Sequence, residues 1–326
     1  MFVNNKNIIK TLPVAIMAHN EEKVIRRAVE SVLNQNIPGG YSVKVVVVAN
    51  GCSDRTEEIV NYLARNYPNK VLLISTPEKG KTKAINKAIK YFEQISNTDC
   101  QIPYVIFLDA DCEFIGNDVL MNFITRFESN PLLCAIGANC LPDVFFNSRK
   151  DIVSKIYRAI DRFRESLKIN SISGMCYGIQ LNILKKIGFP EFQFAEDMYV
   201  SSRLNGWFLK DPNIKIIFKT PSDLGSELKK RSRQEISAKR YREYYSYLKK
   251  KGIKVELFKG SLGEGYKWTW GKGDNIVKAW INLTDVKSKI FLMLYILIRI
   301  YAKVKTYWVL KKIRKNEDID YWKVMR

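Results

Sequence analysis

Four short runs rich in β-branched residues, at positions 14–17, 43–48, 71–75 and 104–108, alternate with helical patterns over about 21–34, 54–66 and 81–95. Repetition at this spacing demands right-handed crossovers, and crossovers impose a mostly parallel sheet. Such sheets take ligands in the crevice beyond the carboxyl ends of their strands. Those ends carry the unusual polar residues of the chain: Ala18-His19-Asn20-Glu21 after the first run, Asn50-Gly51 after the second and Asp109-Ala110-Asp111 after the fourth. The pattern predicts an α/β fold with three loops converging on one crevice.

The strongest local signal is YVIFLDADCEF, a hydrophobic strand ending in two carboxylates two residues apart. In extended backbone such residues share a face, so Asp109 and Asp111 can reach one ligand. Hard divalent cations are held by one or two carboxylates with substrate phosphates completing the shell. Solvated acids in a strand-end turn have the same sequence pattern. A second signal is EFQFAEDMYVSSRLNGW, where Glu196 and Asp197 open a helix whose Met198, Val200 and Leu204 face a core. Acids at a helix start favour the dipole, and they also suit a base that takes a proton from an attacking hydroxyl.

At 326 residues and 46% apolar composition, the chain is long enough for one large α/β domain with an appendage. Fifty-four Lys and Arg against 33 Asp and Glu give a formal net charge of +21, which favours anionic partners. Six cysteines include no C-x-x-C pair, which excludes the usual zinc pattern and points to a reducing cytosol. The N-terminal stretch lacks the apolar core of a signal peptide, so cytoplasmic residence is expected. The only histidine, His19, suits a hydrogen-bonding or stacking group better than a catalytic base.

AHNEEKVIRRAVESVLNQ, VVVVANGCSDRT, KGKTKAIN, FLDAD, SGMCYGIQLNILKKIGF and AEDMYVSSRLNGW follow one another between about residues 13 and 206. In order and spacing this series resembles the inverting family 2 glycosyltransferases, whose nucleotide-diphospho-sugar transferase fold is termed GT-A. The resemblance implies a Rossmann-like mixed, mainly parallel sheet flanked by helices, and a nucleotide diphosphate sugar as donor. It implies that Asp109 and Asp111 form the D-x-D motif, with Asp111 on a divalent metal, Mn2+ or Mg2+, and Asp109 on metal or ribose. Asp197 falls on the E-D catalytic base, with Glu196 as the second candidate. Met17, Ala18, His19, Glu21 and Asn50 fall on positions lining the base and ribose, and Lys81 on the donor-site lysine. Gly174 is assigned to the donor-sugar or acceptor pocket, though a turn glycine reads the same. Arg231 and Arg233 fall where related enzymes place a basic segment over the diphosphate; a solvated basic helix is the alternative. Two departures bear on the nucleotide: the usual P-x-Y-N-E is Met17-Ala18-His19-Asn20-Glu21 here, and the acidic pair of D-D-G-S is Ala49-Asn50. UDP is the first expectation for the donor and GDP the next.

Residues 1–225 are read as the catalytic domain and 226–326 as a basic, aromatic-rich, mainly helical extension. Its apolar run at 290–298 is shorter than the ~20 residues that a spanning helix needs. An interfacial helix on an anionic membrane surface, at the inner face of the cell membrane, is the membrane reading; packing on the catalytic domain is the other. The acceptor expected from this is a glycan or a lipid-linked glycan. The Q-x-x-R-W motif of processive synthases is replaced by Lys230-Arg231-Ser232-Arg233-Gln234, which favours transfer of one sugar per encounter. Two rival readings are a sugar-phosphate nucleotidyltransferase, whose early Gly-rich G-x-G loop is missing, and a non-catalytic nucleic-acid- or membrane-binding relative. No recognised nucleic-acid motif is present, so no nucleic-acid partner is expected.

Overall fold

The computed structural model describes residues 9–96, 101–166, 171–192, 194–259, 261, 280 and 285–316. The four expected runs are parallel strands: β1 (Lys10–Ala18), β2 (Tyr41–Asn50), β3 (Val71–Thr76) and β4 (Tyr104–Asp109). Helices α1 (Ile25–Leu33), α2 (Thr56–Asn66) and α3 (Lys81–Ser96) connect them. Successive side chains divide between two cores, as strands covered on both faces require. Val14, Ile16, Val45, Val47, Ile106 and Leu108 face one side, while Ala15, Met17, Val46, Val48, Val105 and Phe107 face the other.

Helix α1 begins later than the pattern from Glu21 predicts. Asn20 turns the chain with φ 59°, the N–H groups of Glu21 and Glu22 go to the side chains of Thr56 and Asp54, and residues 22–24 form turns ahead of the regular helix. Beyond β4 the sheet becomes mixed. The later elements are β5 (Cys112–Phe114), α4 (Val119–Ser129), β6 (Ala135–Pro142), α5 (Ile152–Ser166), β7 (Cys176–Gln180), α6 (Leu181–Ile187), α7 (Glu196–Leu204) and β8 (Phe208–Phe218). The strand order is β3-β2-β1-β4-β7-β6-β8-β5, with β7 antiparallel to β4 and β5 antiparallel to β8. The antiparallel β7 sets Gly174 and Met175 beside the end of β4, where Asp109 N–H donates to the carbonyl of Met175 at 2.9 Å.

Helix α8 (Leu224–Lys250) starts on Asp223, whose side chain accepts from the N–H of Ser226. Tyr241, Tyr244 and Tyr245 of α8 pack on the core that includes Phe192, Phe194 and Tyr199. The last described element, α9 (Val286–Asn316), lies on α5 and α8: Leu292, Tyr295 and Ile298 meet Ile156 and Ile160, and Arg299 pairs with Glu235. Among the described residues no helix is long and apolar enough to cross a membrane. Cys112, Cys134, Cys140 and Cys176 are buried free thiols; Cys100, and the tail aromatics Tyr266, Trp268 and Trp270, lie outside the described residues.

Candidate active site

Asn50 joins the three loops. Its side-chain amide donates to the carbonyl of Ala18 at 2.7 Å and accepts from the N–H of Gly80 at 3.2 Å, while its own carbonyl meets His19 Nδ1 at 2.7 Å. A carboxylate accepts only, so it cannot make both side-chain bonds; this accounts for an amide at that position. Asn50 is only 4% exposed, and it acts as a brace whose polar atoms are already engaged. Met17 and Ala18 are buried too, and the carbonyl of Ala18 is taken by Asn50. His19 is exposed and Glu21 half-buried.

Lys81, the first residue of α3, ties the end of β4 to the start of α7. Its Nζ lies 2.6 Å from Asp109 Oδ1 and 2.5 Å from Glu196 Oε1, and donates to the carbonyl of Gly174 at 2.8 Å. The N-terminal half of α3 clamps the segment before α7. Thr82 donates its hydroxyl to Phe192 O and Asn86 its amide to Phe189 O, both at 3.0 Å. Gly174 must be glycine for packing reasons, since a Cβ there would lie 2.8 Å from Glu196 Oε1 and 3.5 Å from Lys81 Nζ. Asp197 is held in a looser way: its Oδ1 accepts from its neighbour Met198 N–H at 2.8 Å, and Gly174 N–H stands 3.4 Å from Oδ2.

Five carboxylates, of Glu21, Asp109, Asp111, Glu196 and Asp197, therefore interact with this one lysine or with each other. Burial opposes the charge on Lys81, yet Asp109 and Glu196 hold it well above the usual lysine value. Burial pushes Asp109 up to about 7, with Lys81 pulling down and Asp111 and Glu196 pushing further. Glu21 also rises to about 7, through burial and then the charges of Asp111 and Asp109, with Arg233 opposing. Burial and the adjacent Glu196 raise Asp197 to about 6. The surplus is negative, as a site that receives a cation should be. Among the described residues no three His, Cys, Asp or Glu side chains stand together as a complete metal site. Two strand-end carboxylates that leave places for phosphate oxygens fit the donor set of Mg2+ or Mn2+.

The family profile described as Glycosyl transferase family 2 matches residues 14–188, more than half of the chain and all of the strand-end loops. The chain belongs to glycosyl transferase family 2. Two curated relatives from Bacillus subtilis (strain 168) are the Minor teichoic acid biosynthesis proteins GgaA, 27% identical over 202 residues, and GgaB, 26% identical over 128. These matches cover 62% and 39% of this chain, and the chain spans 40% and 13% of the relatives' own length. Among solved structures, the mannosyltransferase PcManGT from Pyrobaculum calidifontis, in complex with GDP-Man and Mn2+, superposes with a TM-score of 0.54 at 16% identity. That match covers 94% of this chain and 76% of the other. The fold is GT-A.

Within this family 2 frame, Asp109, Glu196, Lys81 and Gly174 are in direct contact, and Asp197 touches Gly174. Arg231 and Arg233 separate. Arg231, expected at the diphosphate, is bound to the buried Glu227 at 2.6 Å, donates to Gln234 Oε1 at 3.0 Å and to Tyr157 Oη at 3.2 Å, and lies over the rings of Tyr157 and Tyr295. Its guanidinium is spent on joining α8 to α5 and α9. Arg233 is exposed, and its charge reaches Glu21. Residues two apart on a helix point in nearly opposite directions, so only one of this pair can face the site. Lys230, three residues before Arg233, takes the other's place: it stands 5.1 Å over the ring of Phe218, burial lowers it, and the charge of Asp111 opposes that lowering. Tyr177 is a second residue that the sequence did not single out. It is fully buried under the site, with its hydroxyl unpaired among the described residues, and it feels Glu196, Lys81 and Asp197. Its signal was the odd large side chain in the small-residue run SGMCYG.

Proposed function

We propose that the chain transfers a single sugar from a nucleoside diphosphate donor, UDP first and GDP next, to a hydroxyl of an envelope or extracellular glycan, with inversion at the anomeric carbon. The observation that carries this reading is the triple contact of Lys81 with Asp109, Glu196 and Gly174, which brings the D-x-D strand end and the E-D helix start together. Asp197 is the base in this account. Glu196 is only 8% exposed and already neutralised by Lys81, whereas Asp197 has no cation of its own, and burial and the adjacent Glu196 raise it to about 6. The acceptor oxygen forms its bond to the anomeric carbon as its proton passes to Asp197, and the bond to the diphosphate oxygen breaks on the opposite face. The nucleoside diphosphate leaves with the electron pair. Asp111, with Asp109, would hold a divalent cation, which when bound neutralises charge on the departing diphosphate. From α8 the charge of Lys230 reaches Asp111 and that of Arg233 reaches Glu21, and both would add positive charge at the leaving group.

Residues 1–225 serve as the catalytic part and 226–326 as the basic extension in this reading. Support for a peripheral place on a membrane comes from α9, where Ile290, Met293, Leu297, Ile300, Val304 and Tyr307 form one stripe, each 51% to 58% exposed. Its spacing of three and four is that of an amphipathic helix. The helix contains no acidic residue, so a second copy of itself would bring like charges together, while an anionic bilayer would attract it.

The test of the reaction is the anomeric configuration of the product by proton NMR, together with Asp197→Asn. Inverted product from the wild type, and donor binding without transfer in the variant, are expected. Retention, or normal turnover by Asp197→Asn, would overturn the assignment.

A further inference from the structure

Between α8 and α9 lies a cavity of about 340 Å³, lined by Lys229, Arg233, Ile236, Ser237, Arg240 and Lys305 among others. Its volume is at the lower end of the roughly 300–1,000 Å³ typical of small-molecule sites. Positions 229, 233, 236 and 240 are spaced by four, three and four residues, so they form one stripe of α8, and Lys305 closes the cavity from α9. None of the four basic side chains makes a side-chain hydrogen bond or an ion pair among the described residues. Glu235, the acid within this stretch of α8, is taken up by Arg299. Four cationic side chains from two helices thus face one hollow, where a single anion can meet several of them at once.

We propose that this cavity is a subsite for a phosphate ester carried by the acceptor. Phosphate fits because arginine forks bind its oxygens in pairs and lysines add point charge. No aromatic side chain lines the cavity, which removes the stacking platform that a single-stranded nucleic acid would use. Its position argues for the acceptor over the donor. Arg233 lies at one end, where its charge reaches Glu21 of the strand-end site, and Arg240 is two turns further along α8, about 10 Å away at the helical rise. A phosphate in the cavity is thus offset from the transfer centre and lies against α9 at Lys305, the residue that follows Val304 of the exposed apolar stripe. The phosphate has two possible sources of one chemistry: the acceptor's own ester, or the headgroup of a bilayer lipid. The word acceptor rests on the glycosyl-transfer reading above; the existence of the subsite does not.

The test uses the full chain and the double variant Arg240→Ser/Lys305→Ser, which leaves Arg233 and the strand-end carboxylates intact. Inorganic pyrophosphate is titrated calorimetrically without divalent metal, a condition in which those carboxylates repel it. The expected result is wild-type binding that weakens roughly tenfold or more in the double variant, the loss that follows from removing charge-assisted contacts. Restoration is expected in Arg240→Lys/Lys305→Arg, which keeps the charge and separates binding from folding. Equal affinity of wild type and double variant, or no binding by the wild type, overturns the subsite. Flotation with vesicles of phosphatidylcholine, with and without phosphatidylglycerol, identifies the source. Loss of phosphatidylglycerol-dependent flotation in the double variant assigns the cavity to a lipid headgroup and overturns the acceptor assignment; flotation that persists while pyrophosphate binding falls supports the acceptor's own ester. Nucleoside diphosphate release by the wild type is read separately, so failure of the donor reading is not mistaken for failure of the cavity.

Discussion

Gly174→Ala is the sharpest probe of how tightly the site is packed. The added Cβ would lie 2.8 Å from Glu196 Oε1 and 3.4 Å from Asp197 Cβ. A carbon–oxygen contact normally stays beyond about 3.3 Å, so something must give by ~0.5 Å. Glu196 cannot swing aside freely, because Lys81 holds its carboxylate at 2.5 Å and is itself fixed by Asp109 at 2.6 Å. The displacement falls on the start of α7, and with it on Asp197. Overpacking of this kind costs about 1–3 kcal/mol of stability. A misplacement of 1 Å costs about a hundredfold in rate, so half of that should cost on the order of tenfold. The assay pairs thermal unfolding with single-turnover transfer at saturating donor, and donor affinity by calorimetry. A lower midpoint, a turnover reduced by about that factor and a donor affinity close to wild type are expected. Wild-type turnover by the folded variant would refute the claim that this contact sets the catalytic geometry.

Asp197→Asn should lower transfer by ~100- to 10,000-fold, the range for loss of a general base, with donor binding kept. Since burial and Glu196 raise Asp197 to about 6 and the base must be ionised, wild-type kcat/KM should climb with pH through about 6 and then level. The same shift lowers stability as pH rises from the ordinary carboxylate value towards 6, because the native state holds the proton longer than the unfolded chain; a pH series of unfolding midpoints on Asp197→Asn should lack that component. Asn50→Asp replaces a donor with a second acceptor facing Ala18 O, and unfolding measurements should record a loss of about 1–3 kcal/mol for the broken buried bond. Arg231→Met leaves Glu227, which is 0% exposed, without its cation and should cost about 3–5 kcal/mol of stability with little change in donor KM. Arg233→Ala should behave in the opposite way, raising donor KM while the unfolding midpoint holds.

The first half of the fold was legible because β1 to β4 are local, strongly apolar runs separated by amphipathic helices, a pattern that needs no knowledge of partners. Strands β6, β7 and β8 were not, since their pairing is long-range and their sequences carry contrary signals. β8 contains Asp211-Pro212-Asn213, residues that normally interrupt a strand. They are accommodated at a register shift between Ala138 and Asn139, where Asp211 is buried against Arg126 at 2.5 Å. At the site, the proximity of Asp109 and Asp111 follows from spacing alone, but the lysine joining Asp109 to Glu196 comes from another element and is invisible to spacing. Arg231 parts from Arg233 on geometry that the sequence did contain: the segment reads as a helix, residues two apart on a helix point in nearly opposite directions, and Arg231 is the one bound to the buried Glu227. The amide at Asn50 looked like a departure bearing on the nucleotide base. Its bonds to Ala18 and Gly80 explain it as the brace of the loops.

The central claim is that a nucleotide sugar is cleaved at the end of β4. Incubating the purified protein with Mn2+ and a panel of nucleotide sugars with their candidate acceptors, and following nucleoside diphosphate release against Asp111→Ala, tests it most directly. The account predicts release from one donor that needs the metal and disappears in Asp111→Ala. Release that is the same in Asp111→Ala and wild type would contradict it.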